Sequence, residues 1–101
     1  MNKKKDIIRE GIPESELFGK LVAMLHVAMA DQMGMVENPV TGKRREPNIQ
    51  MAGETLAMLE LLRKRMNLEP DEVMVLDNVL NDLRMRYTAL VDKMLYEDNK
   101  E

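Results

Sequence analysis

The chain has 101 residues and a net charge of −3, with 45% hydrophobic and 33% charged residues. That length fits one domain with a modest core, and the composition is that of a folded chain. There is no cysteine and a single histidine, His26. Disulfides, thiolate metal sites and cysteine nucleophiles are thereby excluded, and the usual zinc sites lie beyond one chain.

The acidic balance argues against non-specific nucleic-acid binding, which usually reads strongly basic. Aromatics are 3% of the chain (Phe18, Tyr87 and Tyr96), too few to stack successive bases. No apolar core follows the first lysines as it would in a signal peptide. The longest apolar run, "LVAMLHVAMA", has ten residues, against the ~20 of a spanning helix. The sequence therefore predicts a cytoplasmic protein without a membrane span or a cofactor.

Apolar residues recur at a helical period, and no alternating run reads as a strand. The first predicted helix runs from about Glu14 to Met35, with Pro13 and two glutamates at its start and Gly34 as its stop. The second runs from about Asn48 to Met66, with Asn48 as N-cap and an apolar face of Ile49, Ala52, Leu56, Leu59, Leu62 and Met66. The third runs from Pro70 to about Tyr96. Its Val73, Leu76, Leu80, Leu83, Tyr87, Leu90 and Met94 are spaced as an a/d seam. The short "NLEP" link predicts an antiparallel hairpin of helices 2 and 3. "ENPVTGKRREPN" is a long connection between helices 1 and 2. The expected architecture is an elongated all-α three-helix bundle in one domain over residues 14–97, with frayed termini at 1–13 and 98–101.

Two features predict a homodimer or higher homo-oligomer. Helix 3 spans ~40 Å at ~1.5 Å per residue, as long as a compact domain of this size is wide. Helix 1 is apolar around half its circumference or more, beyond the stripe of an ordinary surface helix. Packing on one hairpin leaves part of that surface bare. A second copy is the simplest cover, because two-fold dimers are the commonest assembly.

The polar residues give little chemistry. Glu54, Glu60, Asp77 and Asp82 fall on solvated helix faces, and Asp82 can pair with Arg86 at i, i+4. No Glu-x-x-His pair supports a di-iron bundle. His26 reads as a packed histidine with one ring nitrogen bonded to a neighbour. The eleven methionines read mainly as core filling, although such adaptable side chains also suit binding grooves. The cations Arg63, Lys64 and Arg65 suit the negative end of helix 2. Lys43, Arg44 and Arg45 have no such structural reason; they meet solvent, a second copy or an anion.

Within the connection, Asn38-Pro39-x-Thr41-Gly42 reads as turn chemistry. With Leu83-Arg84-x-x-Tyr87 on helix 3, in the same order, it resembles a family of short bacterial proteins described as domain of unknown function eighteen forty-four. The resemblance covers about Phe18 to Val91. It implies a small helical bacterial protein and no assigned activity. Glu69 stands where that pattern has a hydroxyl-bearing cap, which predicts a looser or shifted start to helix 3. Arg84 and Tyr87 are expected to anchor the loop through a loop carbonyl, Asn38 or Thr41. The function expected is a non-enzymatic, oligomeric interaction module. The alternative is an accessory protein that binds an anion or nucleic acid through Lys43–Arg45.

Overall fold

A computed structural model describes residues 11–99. It contains α1 (Glu14–Gln32), α2 (Ile49–Arg65) and α3 (Pro70–Asn99), each packed on the other two. Among the described residues there is no strand, only an isolated antiparallel bridge between Glu37 and Arg44. The chain is an all-α three-helix bundle. Its radius of gyration of 17.1 Å exceeds the ~13 Å of a compact hundred-residue domain, and its extents are 63 × 34 × 20 Å. The expected elongation is present.

The helix boundaries follow local chemistry. The Pro13 carbonyl accepts the N–H groups of Glu16 and Leu17 at 3.1 Å, and Glu14 and Glu16 sit at the positive end of α1. α1 stops at Gln32, three residues before the Met35 expected. Gly34 has a left-handed backbone (φ +73°). Its N–H donates to the Asp31 carbonyl and the Met35 N–H to the Ala30 carbonyl, both at 2.9 Å. That paired ending uses up carbonyls the helix leaves open, and it turns the chain away. The Asn48 side chain accepts the Met51 N–H at 3.0 Å, so the expected cap of α2 is present.

α3 begins at Pro70, without the shift expected from Glu69. The Glu72 carboxylate accepts the Glu69 N–H at 2.9 Å, which is the backward half of a capping box. α3 also continues to Asn99, so residues 98 and 99 are helical where fraying was expected. The fraying expected at residues 1–10 and 100–101 lies outside the described residues.

The core is Phe18, Val22, Met29 and Met33 of α1 and its end, Ala52, Leu56 and Leu59 of α2, and Leu76, Leu80 and Leu83 of α3. Tyr87 and Leu90 pack against it at one edge. The a/d seam of α3 is therefore the wall on which the other helices lie, while Met94 extends beyond it and is exposed. α2 and α3 run antiparallel, as the pairs Arg63–Asp77 (2.8 Å) and Glu60–Arg84 (3.5 Å) show. Two methionines, Met29 and Met33, are buried, whereas Met24, Met51, Met58, Met66, Met74, Met85 and Met94 are exposed. The reading of the methionines as mainly core filling is thus corrected. The helical period marks a stripe, but α1 has two stripes and the core needs one.

Gly19 lies inside α1, and a Cβ built on it meets nothing within 4 Å. Its backbone is not in the left-handed region. Glycine in a helix costs about 0.5–1 kcal/mol relative to alanine. Gly19→Ala is expected to raise stability by about that amount in urea unfolding.

Candidate functional site

α1 presents two apolar faces. Phe18, Val22, Leu25, Met29 and Met33 point inward. Leu17, Leu21, Met24 and Ala28, spaced 4, 3 and 4, form a second stripe, of which the described residues leave Leu17, Leu21 and Met24 exposed and Ala28 half-buried. Leu17 is 47% exposed, Leu21 40%, Met24 70% and the adjacent Val27 62%. Beside the stripe, where the chain turns back, lies an open groove of about 720 Å³. Ala23, Met24, Val27 and Ala28 form its helix wall, and Val36 and Pro39 its loop wall. A smaller hollow of about 390 Å³ continues the face at the other end, between Leu17, Leu21 and Met66. The uncovered face expected from the sequence runs nearly the length of the helix.

The loop bordering the groove is a closed turn. The Asn38 N–H donates to the Lys43 carbonyl and the Gly42 N–H to the Asn38 carbonyl, both at 2.8 Å. The Asn38 side-chain oxygen accepts the N–H groups of Val40 (2.8 Å) and Thr41 (3.2 Å). Thr41 Oγ1 accepts the Lys43 N–H at 3.3 Å. Gly42 supplies the left-handed residue (φ +68°). Asn38, Pro39, Thr41 and Gly42 thus build the turn, and they leave Val40 at its tip, 91% exposed.

The loop is tied to the end of α1. Arg45 Nη2 lies 3.4 Å from Asp31 Oδ2, and the Asn48 N–H donates to the Gln32 carbonyl at 2.7 Å. Gln32 also holds α2, because the buried Thr55 hydroxyl donates to its Oε1 at 2.7 Å. Lys43, Arg44 and Arg45 line a polar cleft of about 240 Å³ together with Asp31, Asn38 and Thr41. Five described lysines and arginines outside this trio or within it pair with carboxylates: Lys20, Arg45, Arg63, Arg84 and Arg86. Lys43 and Arg44 have no carboxylate of this chain within pairing distance among the described residues.

The anchor expected from Arg84 and Tyr87 to the loop does not form. Arg84 pairs with Glu60, and Tyr87 lies over α2 against Gly53, while Asn38 and Thr41 bond within the turn. Both residues meet α2, and neither bonds to the loop. Gly53 is what admits Tyr87, since a Cβ there would lie 2.9 Å from the phenol oxygen. Gly53→Ala is therefore expected to be neutral or destabilising, although alanine is the better helix former. In a Tyr87→Phe background the same change should stabilise by about 0.5–1 kcal/mol. A double-mutant cycle from urea melts measures the coupling.

His26 Nε2 lies 3.4 Å from Asp82 Oδ2, and Arg86 Nε donates to Asp82 Oδ1 at 2.8 Å. The bonded, part-buried histidine expected from the sequence is present. The Arg86 hydrogen bond holds the Asp82 carboxyl below its ordinary range, against the upward push of partial burial. A depressed carboxylate stabilises the fold above its unfolded pKa, and that contribution disappears as the pH falls through its folded one. The cluster joins α1 to α3.

Sequence reasoning did not find Asp31, Gln32, Gly53 or Thr55. Each acts on a residue at least fourteen positions away, and no local pattern announces such a pairing. Among the described residues, no three His, Asp or Glu side chains are grouped to hold a metal ion, and no helix is long and apolar enough to cross a membrane.

Comparison with known proteins returned no matching curated protein and no matching solved structure. A family model does match, over residues 16–89, from the first turn of α1 through most of α3. The chain belongs to the family described as Domain of unknown function (DUF1844).

Proposed function

We propose that the protein is a non-enzymatic interaction module that works as a homodimer or higher homo-oligomer in the bacterial cytoplasm. The observation that carries this reading is the second apolar face of α1, with Leu17, Leu21, Met24 and Val27 all at least 40% exposed. Contiguous apolar surface of this kind marks an interaction site. The lining of the adjoining groove supports the non-enzymatic part, because it is mostly aliphatic with Asp31 and Glu37 at its margin. A charge placed on this face blocks association without touching the core. Met24→Asp and Val27→Asp should lower the sedimentation mass to that of one chain while helicity stays unchanged. If the native protein itself sediments as one chain across a dilution series into the high micromolar range, the reading fails.

A second reading has its own support. Lys43 and Arg44, which pair with no carboxylate among the described residues, border a polar cleft and suit an anion or nucleic-acid phosphate. Phosphate contacts weaken steeply with salt. RNA binding that is lost on Lys43→Ala with Arg44→Ala and falls between 50 and 200 mM salt, on the order expected for phosphate contacts, supports it. RNA binding absent at low salt excludes it.

A further inference from the structure

We infer that the hollow at the start of α1 is a docking site for this chain's own Ile7 and Ile8, which fold back over Leu17, Leu21 and Met66. The inference goes beyond the homo-oligomer reading and leaves Met24, Val27 and the groove to the second copy.

The hollow is lined by Glu14, Leu17, Phe18, Leu21 and Met66. All but Glu14 are apolar, and Leu17, Leu21 and Met66 are each at least 40% exposed. The described chain begins at Gly11, three residues before Glu14. Residues 1–10 read "MNKKKDIIRE", in which Ile7 and Ile8 are the branched apolar pair.

The way α1 begins aims the preceding chain at this hollow. Pro13 is the N-cap. Ile12 and Leu17 therefore hold the two positions of a hydrophobic staple, which fixes the angle at which a chain enters its helix. Ile12 is half-buried, and Leu17 is a wall of the hollow. The chain also turns at Gly11 and bends at Ile12, so the residues before them can run back along α1. The lengths agree. Gly11 to Ile8 is three residues, about 10 Å when extended. Glu14 to Leu21 is about 10 Å along the helix. Val27 stands about 9 Å beyond Leu21, out of range of Ile8. Charge fits the same placement, because Arg9 follows the isoleucines directly and can meet Glu14 on the rim.

Ile7→Ser with Ile8→Ser should lower the urea midpoint by about 1 M, and by the same amount at every protein concentration. The chain has no cysteine, so introduced thiols report position. A short thiol crosslinker should join Ile8→Cys to Met66→Cys within one chain and leave Ile8→Cys and Val27→Cys apart. An unchanged midpoint overturns the docking site. So does a Val27 pair that links as readily as the Met66 pair, or a Met66 pair that does not link. A midpoint loss that varies with concentration, or links that join two chains, gives the hollow to the second copy's segment and overturns its assignment to this chain's own. Each of these outcomes leaves the homo-oligomer reading to its own test, the Met24→Asp and Val27→Asp variants.

Discussion

Replacing Gly34 by alanine is expected to destabilise the protein by about 2–4 kcal/mol. Two costs add. Its φ of +73° lies where a side chain is disfavoured. The new Cβ would also stand 2.5 Å from the Arg45 carbonyl oxygen, which is backbone and cannot rotate aside. The loop would have to lift off the end of α1, which loosens the Asn48–Gln32 hydrogen bond and the Arg45–Asp31 pair. Gly42→Ala is the control. Gly42 shares the left-handed backbone (φ +68°), but nothing lies within 4 Å of its Cβ position, so only the conformational cost of about 1 kcal/mol applies. Urea melts of the two variants separate strain from collision. Equal losses would mean that the close approach of the loop to Gly34 contributes nothing.

Leu80→Ala should cost about 2–5 kcal/mol. Leu80 is 1% exposed at the middle of the α3 seam, among core residues of all three helices. Removing its branched end leaves a cavity that three packed helices cannot close together. A loss of that size is a large part of the stability of a domain this small, about 5–15 kcal/mol. Met85, on the same helix but 66% exposed, is the contrast. Met85→Ala should stay within about 0.5 kcal/mol of the native protein. Thermal or urea unfolding at one fixed protein concentration measures both.

Much of this architecture was legible in the sequence because it repeats. The α3 seam recurs every three and four residues, and the structure buries Leu76, Leu80 and Leu83 from it. Asn48 and Gly34 are residue types with a preferred place at a helix end, and both are found there. The excess apolar surface of α1 was legible for the same reason, since its two stripes overfill a helical wheel. Single long-range contacts were not legible. Nothing near Tyr87 says that Gly53 will admit it, and nothing near Arg45 points to Asp31. Tyr87 and Arg84 were assigned to the loop because they share a face, but that face looks toward α2. Methionine hid its own position, being apolar enough for a core and pliant enough for a surface. The reach of α3 to Asn99 was missed because its last residues, Glu97, Asp98 and Asn99, are polar and carry no apolar period.

The loop shows how function and architecture divide within one short segment. Asn38, Pro39, Thr41 and Gly42 satisfy the turn's own backbone. Arg45 fastens it to α1. That leaves the side chains of Lys43 and Arg44 without a carboxylate partner among the described residues, and Val40 exposed at the tip. Lys43 and Arg44 line the polar cleft, which shares Asp31 and Asn38 with the groove beside the outer face of α1, and the exposed apolar face carries the interaction reading.

The central claim is that a second copy covers the outer face of α1, and the solution mass tests it most directly. Light scattering after gel filtration, with the protein at tens of micromolar, should give at least twice the 11.7 kDa of one chain. A mass of 11.7 kDa that persists as the concentration rises would contradict it.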